Sequence, residues 1–278
     1  MIAIALALAL TATDKVDVRP AADLAIGGAA LVVWAVPELF KGDLAPSHCR
    51  LCDGADNTGL PGTGSRASLN AVDAWFHDAT SGWLVSRRTA DVASSVVAFG
   101  MVPLGVVAGA FTATGPYATD GAGGRAMAIV EESAVVSSAL VQALKFALAR
   151  KRPFVRYGAG ETSGSYDVGD ADSRASLPSG HTAFATALGV GLATTATLQE
   201  SRAAPWLWAG AAVGSVTTGA LRMMAEKHYF TDVAAGAAIG AACGVVFPLL
   251  HRRGGPLSSP ASLSNAPQGP RFALSGRF

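Results

Sequence analysis

Three short stretches carry side chains whose types and spacing suit one chemistry. In KFALARKRP, residues 145–153, Lys145 and Arg152 stand seven apart, two helical turns, so a continuous helix projects both cations from one face and ends at Pro153. In SLPSGHTAF, residues 176–184, Ser179 is a natural N-cap ahead of a long apolar run. The backbone N–H groups of Ser179, Gly180 and His181 then point out of the helix start, where unpaired donors and the helix dipole favour an anion. In RMMAEKHYFTD, residues 222–232, His228 and Asp232 are four apart, so a helix brings the carboxylate to the imidazole. A carboxylate that holds one ring nitrogen leaves the other free as nucleophile or base. Each stretch also has a plainer reading: interfacial cations, an ordinary capped helix and a mixed polar loop.

Six apolar segments must position these groups: residues 24–40, 92–113, 127–149, 182–199, 203–221 and 233–250. The first is short and interrupted by Pro37, and the third carries Glu131, Glu132 and Lys145. The last three are uncharged over about eighteen residues, the length that crosses a hydrocarbon core. Ala and Gly dominate them, which suits close packing between membrane helices and equally a tight soluble bundle. Counting helix ends puts Arg152, His181, Arg222 and Asp232 on the same side. Three cations, two imidazoles, a carboxylate and a ring of backbone donors there would suit a tetrahedral oxyanion, and Arg is the side chain best shaped for phosphate.

The bulk composition agrees with a membrane setting. Of 278 residues, half are apolar and 15% are charged, below the quarter or so of an ordinary soluble domain. A net charge of +1 provides no basic face for nucleic acid. Residues 1–20 read as a signal peptide or N-terminal anchor, 21–253 as the helical domain, and 254–278, rich in Pro, Ser and Gly, as a disordered tail. Cys49 and Cys52 form a CxxC in a polar loop, best read as a local disulfide if that loop lies outside the cytoplasm; a zinc set would have to recruit His48 and His77. Cys243 reads as a small buried residue.

Taken in order, the three stretches resemble the signature of the type 2 phosphatidic acid phosphatase (PAP2) superfamily: Lys-x6-Arg-Pro, Pro-Ser-Gly-His and Ser-Arg-x5-His-x3-Asp. One position departs, Leu221 standing where the family has serine. The resemblance implies an all-α bundle of about six apolar helices, membrane-embedded in the lipid phosphatase branch. It implies a phosphohistidine on His228 polarised by Asp232, with His181 as general acid and then base. Lys145, Arg152 and Arg222, with the backbone of Ser179 and Gly180, would hold the phosphoryl oxygens. No cofactor is implied, and the motifs hold no carboxylate cluster for Mg2+. The expected substrate is a phosphorylated lipid or polyprenyl pyrophosphate, met in an inner membrane with the site facing the periplasm. Other readings are a soluble periplasmic acid phosphatase, a vanadium-dependent haloperoxidase, and a non-catalytic phospholipid-binding or transport protein.

Overall fold

The computed structural model describes residues 15–51, 70–114 and 121–257. The apolar stretch before residue 15, Cys52 and the tail beyond residue 257 lie outside the described residues. Each of the six apolar segments is helical. Helix α1 runs Pro20–Leu39, α2 is the short turn Lys41–Leu44, and α3 spans Ala71–Thr80. Helix α4, Arg87–Val96, passes through a π turn at Val97–Met101 into α5, Val102–Thr114. Helix α6 spans Ala122–Leu148, α7 is Pro153–Arg156, α8 Gly180–Leu198, α9 Ala204–Met224 and α10 Phe230–Leu250. No strand occurs among the described residues. Pro37 sits inside α1 without ending it.

Helix α8 forms the axis of the bundle, with α6, α9 and α10 packed around it and α5 alongside. Its core joins Val106 and Ala110 of α5, Val130 and Ala134 of α6, and Ala187, Leu188 and Leu192 of α8. Three glycines at four-residue spacing fix the α8–α10 contact. A Cβ at Gly236 would lie 2.4 Å from the Ser179 carbonyl oxygen, and one at Gly240 2.3 Å from that of Ala183. A Cβ at Gly244 would meet the Gly191 nitrogen at 2.8 Å. The two backbones therefore touch directly, as small residues allow between helices.

Among the described residues, four helical stretches are long and apolar enough to cross a membrane: Pro20–Leu39, Arg87–Thr112, Ala122–Arg156 and Phe230–Leu250. Helix α1 shows the least protein cover of these, with Leu24, Leu31, Val32, Val33 and Leu39 exposed. Large exposed apolar residues continue over α4–α5 and α9, among them Phe99, Leu104, Phe111, Trp206 and Val216. Such continuous apolar surface is what lipid, rather than water, accommodates.

Two sequence expectations change here. Helix α6 stops at Leu148, because Ala149 takes the left-handed conformation (φ 43°) and turns the chain out of the helix. Arg152 is then the N-cap of α7, and Pro153 opens that short helix instead of closing the long one. Lys145 and Arg152 thus do not share a helix face. His228 likewise precedes α10, whose N-cap is Tyr229, while Asp232 sits in its first turn.

Candidate active site

At one end of the bundle a cavity of about 510 Å3 is lined by Lys145, Arg152, Gly180, His181, Arg222 and His228. Lys145 reaches it from the last turn of α6, Arg152 from the turn beyond, His181 from the first turn of α8 and Arg222 from the last turn of α9. The fold therefore brings the cations and both imidazoles of the three motifs together, although Lys145 and Arg152 arrive by different routes.

The imidazole of His228 is held by a group that spacing does not reveal. Its Nδ1 lies 2.6 Å from the Ser176 carbonyl oxygen, which can only accept, so Nδ1 carries the proton. Nε2 is then the nitrogen with a lone pair, and it lies 3.4 Å from the Arg152 guanidinium. Burial, together with Arg152, Arg222 and Lys145, holds the His228 pKa well below the ordinary histidine value, keeping Nε2 unprotonated.

Asp232 does not hold the ring directly. Its Oδ2 lies 3.7 Å from Nδ1 and instead accepts from the Ser176 hydroxyl and the Tyr229 N–H (3.0 Å). Oδ1 pairs with Arg150 at 2.6 Å. Arg150 in turn binds Asp73 of α3 at 2.8 Å and lies over the Tyr229 ring. Asp73, wholly buried, also accepts from the Thr231 N–H and hydroxyl. Asp232 thus positions His228 through Ser176, whose hydroxyl it holds and whose carbonyl fixes the ring.

The PSGH turn differs from its expected form in one donor. The Ser179 N–H is bonded to the Asp232 carbonyl at 2.9 Å, so it is spent inside the fold. Ser179 stands at the N-cap, but its hydroxyl pairs with Thr182 rather than with a backbone N–H. Gly180 and His181 occupy the first two helical positions, whose N–H groups have no partner within the helix. The His181 Nε2 lies 3.1 Å from the Ser95 hydroxyl, and Phe99 meets the ring edge-on.

The cations are unequally engaged. Arg152 donates to the Asp172 and Lys227 carbonyls and pairs with the Asp172 carboxylate at 2.8 Å. Burial raises the Asp172 pKa, but Arg152, Lys145, Lys41 and Lys227 outweigh it and hold the carboxyl well below its ordinary range. Arg222 pairs with Asp91 at 2.6 Å, yet its Nε is buried without a hydrogen-bond partner among the described residues. Lys145 makes no ion pair within the described residues. An unpaired ammonium and an orphaned guanidinium N–H face one cavity, and a buried charge in that state calls for an anion.

Asp73, Asp91, Ser95, Arg150, Asp172 and Ser176 were not marked by the sequence motifs. Arg150, between Lys145 and Arg152, and Ser176, at the start of SLPSGHTAF, lay inside quoted stretches, where no spacing rule selects them. Leu221 joins Val85, Ala90, Met224 and Ala225 in a small apolar cluster, so the departure from serine places a packed side chain beside Arg222. Cys49 is disulfide-bonded and Cys243 is a buried free thiol. The Cys49 segment docks at the active-site end, where the Arg50 and Leu51 N–H groups bond the Ala149 and Leu148 carbonyls.

A helical bundle with imidazoles and partly unpaired cations gathered around one cavity suits a class built for phosphoryl chemistry. Residues 126–255 match the family model of the PAP2 superfamily. That match supports a phosphatase or phosphoryl-transfer activity. No curated protein and no solved structure matches the chain at a significant level.

Proposed function

We propose that this chain is a membrane-embedded phosphatase that hydrolyses phosphate monoesters or pyrophosphates of lipids through a phosphohistidine. The observation that carries the reading is the pair of unsatisfied cationic donors, Lys145 and Arg222 Nε, facing the lone-pair nitrogen of His228 across one cavity. His228 Nε2 attacks phosphorus and the bond to the leaving oxygen breaks. His181 supplies a proton to that alkoxide, and as base it then takes one from the water that attacks the phosphohistidine, releasing phosphate and free His228. Lys145, Arg152 and Arg222 balance the phosphoryl oxygens, with the Gly180 N–H as a further donor. Asp232 and Ser176 keep the ring in its Nδ1–H form.

The lipid preference rests on the walls. Leu31 and Trp34 of α1 with Val135, Val141, Phe99 and Phe184 give the cavity an apolar side toward the surface where α1 shows little protein cover. An acyl or polyprenyl chain suits such a side. The disulfide of Cys49, docked at the same end, supports a site facing an oxidising compartment, the periplasm of a bacterial cell.

The test is phosphate release from phosphatidate, phosphatidylglycerophosphate and polyprenyl pyrophosphate by detergent-purified protein in EDTA at 25 °C, beside His228→Asn. Wild-type turnover that the variant lacks, with phosphate trapped covalently on acid quench, supports the reading. Turnover unchanged in His228→Asn overturns it.

A further inference from the structure

At the opposite end of the bundle a second cluster of chemically capable groups is unused by the reaction above. Asp23 from the first turn of α1, Glu132 from the middle of α6 and His251 just beyond α10 bring one ligand atom each within 4.8 Å of the others. Glu132 lies thirteen residues before Lys145 on α6, about 20 Å along the helix axis, so the cluster is remote from the anion cavity.

The lone pairs at this point do not cancel. His251 Nδ1 lies 2.9 Å from the Phe247 carbonyl oxygen, which fixes the proton on Nδ1. Nε2 then faces Asp23 Oδ1 at 3.2 Å and Glu132 Oε2 at 3.4 Å. Three acceptors therefore converge with no donor among them. A second proton on the ring would satisfy Asp23, the carboxylate that Nε2 meets in hydrogen-bonding geometry. It would leave Glu132 as it stands now, with both side-chain oxygens buried and without a hydrogen-bond partner. The Glu132 side chain is 3% exposed and that of His251 0%, so bulk solvent does not reach these lone pairs. A divalent cation satisfies all three at once.

We propose that Asp23, Glu132 and His251 bind a divalent first-row transition ion of the Zn2+ kind. The geometry fits: bonds of 2.0–2.1 Å in a tetrahedral shell separate neighbouring ligand atoms by about 3.3 Å, the spacing seen around Nε2. A backbone carbonyl on the other ring nitrogen is the usual outer support of a metal-bound histidine. Two carboxylates and one imidazole suit Zn2+ or Mn2+ better than the softer or larger ions. The ion is structural, tying α1, otherwise poorly covered, to α6 and α10. The same corner is closed by backbone bonds from Asp17 to the His251 carbonyl and from Arg253 to the Lys15 carbonyl.

The test is metal binding by the full chain in detergent after exhaustive chelation, without reference to turnover. Zn2+ titration should restore about one equivalent per chain and raise the melting temperature, and Co2+ should give visible ligand-field absorption. Asp23→Asn and Glu132→Gln should each weaken Zn2+ at least about tenfold and abolish the thermal response. Asp23 is the outermost of the three ligands, so Asp23→Asn serves if Glu132→Gln fails to fold. A wild type that takes up no more Zn2+ than the Asp23→Asn variant overturns the proposal and makes the cluster a protonated carboxylate–imidazole pair.

Discussion

Arg150 Nη1 stands 2.6 Å from Asp232 Oδ1, closer than Asp232 comes to His228, the residue four before it in sequence. The carboxylate is thus shared between a cation that anchors it and a serine that transmits its position to the imidazole. Arg150 bridges this carboxylate to Asp73 on α3. Removing one member of a buried ion pair costs about 3–5 kcal/mol, because the other charge is left uncompensated. Arg150→Met should therefore lower unfolding stability by that order in a denaturant titration. Turnover should also fall in whatever fraction remains folded, whereas Arg150→Lys should recover part of the stability. A variant as stable as wild type would mean that Asp232 does not depend on Arg150.

The His228 tautomer gives a pH signature. Its folded pKa lies well below 6.5, so below pH 6.5 the unfolded chain takes up a proton that the folded chain refuses. Stability from this group is complete above pH 6.5 and declines as pH falls, by up to about 1.4 kcal/mol per pH unit. Nitrogen-15 spectra of histidine-labelled protein should show His228 neutral, with its proton on Nδ1, from pH 8 down to pH 5. An imidazolium signal for His228 at pH 6 would contradict this geometry.

Asp172 occupies Arg152 where the proposed substrate would place a phosphoryl oxygen. Its carboxylate is partly exposed, so the pair is worth roughly 1 kcal/mol, about fivefold in affinity. Asp172→Asn should strengthen competitive inhibition by inorganic phosphate by about that factor, with a parallel fall in KM for a small aryl phosphate. Unchanged inhibition would show that Asp172 moves aside without cost.

The helices were legible because each is a long apolar run bounded by polar chain, and all six reappear where hydropathy drew them. The shared end of the bundle was legible too, since it follows from counting helix ends. Lys145 and Arg152 defeated the periodicity argument because Ala149, a good helix former, takes a left-handed turn that only its surroundings impose. Ser176 acts on His228 through its carbonyl, which every residue has, so no side-chain pattern could have marked it. Asp73, Asp91 and Asp172 reach the site from α3, α4 and the loop before α8. Their roles depend on tertiary docking and have no local signal. Asp23, Glu132 and His251 lie more than a hundred residues apart in sequence and meet only in the folded bundle.

The direct backbone contact made by Gly236, Gly240 and Gly244 also sets a tolerance. Gly236 meets the backbone of Ser179, two residues before His181, and its own helix starts two residues after His228. The two imidazoles are therefore mounted on a single rigid block with no soft side chain between its halves. A methyl group at position 236 would act as a shim, changing the alignment of both rings together. Divergence toward new substrates is then channelled away from this block and into the α1 wall, where Leu31 and Trp34 can change size without disturbing the spacing of the two histidines.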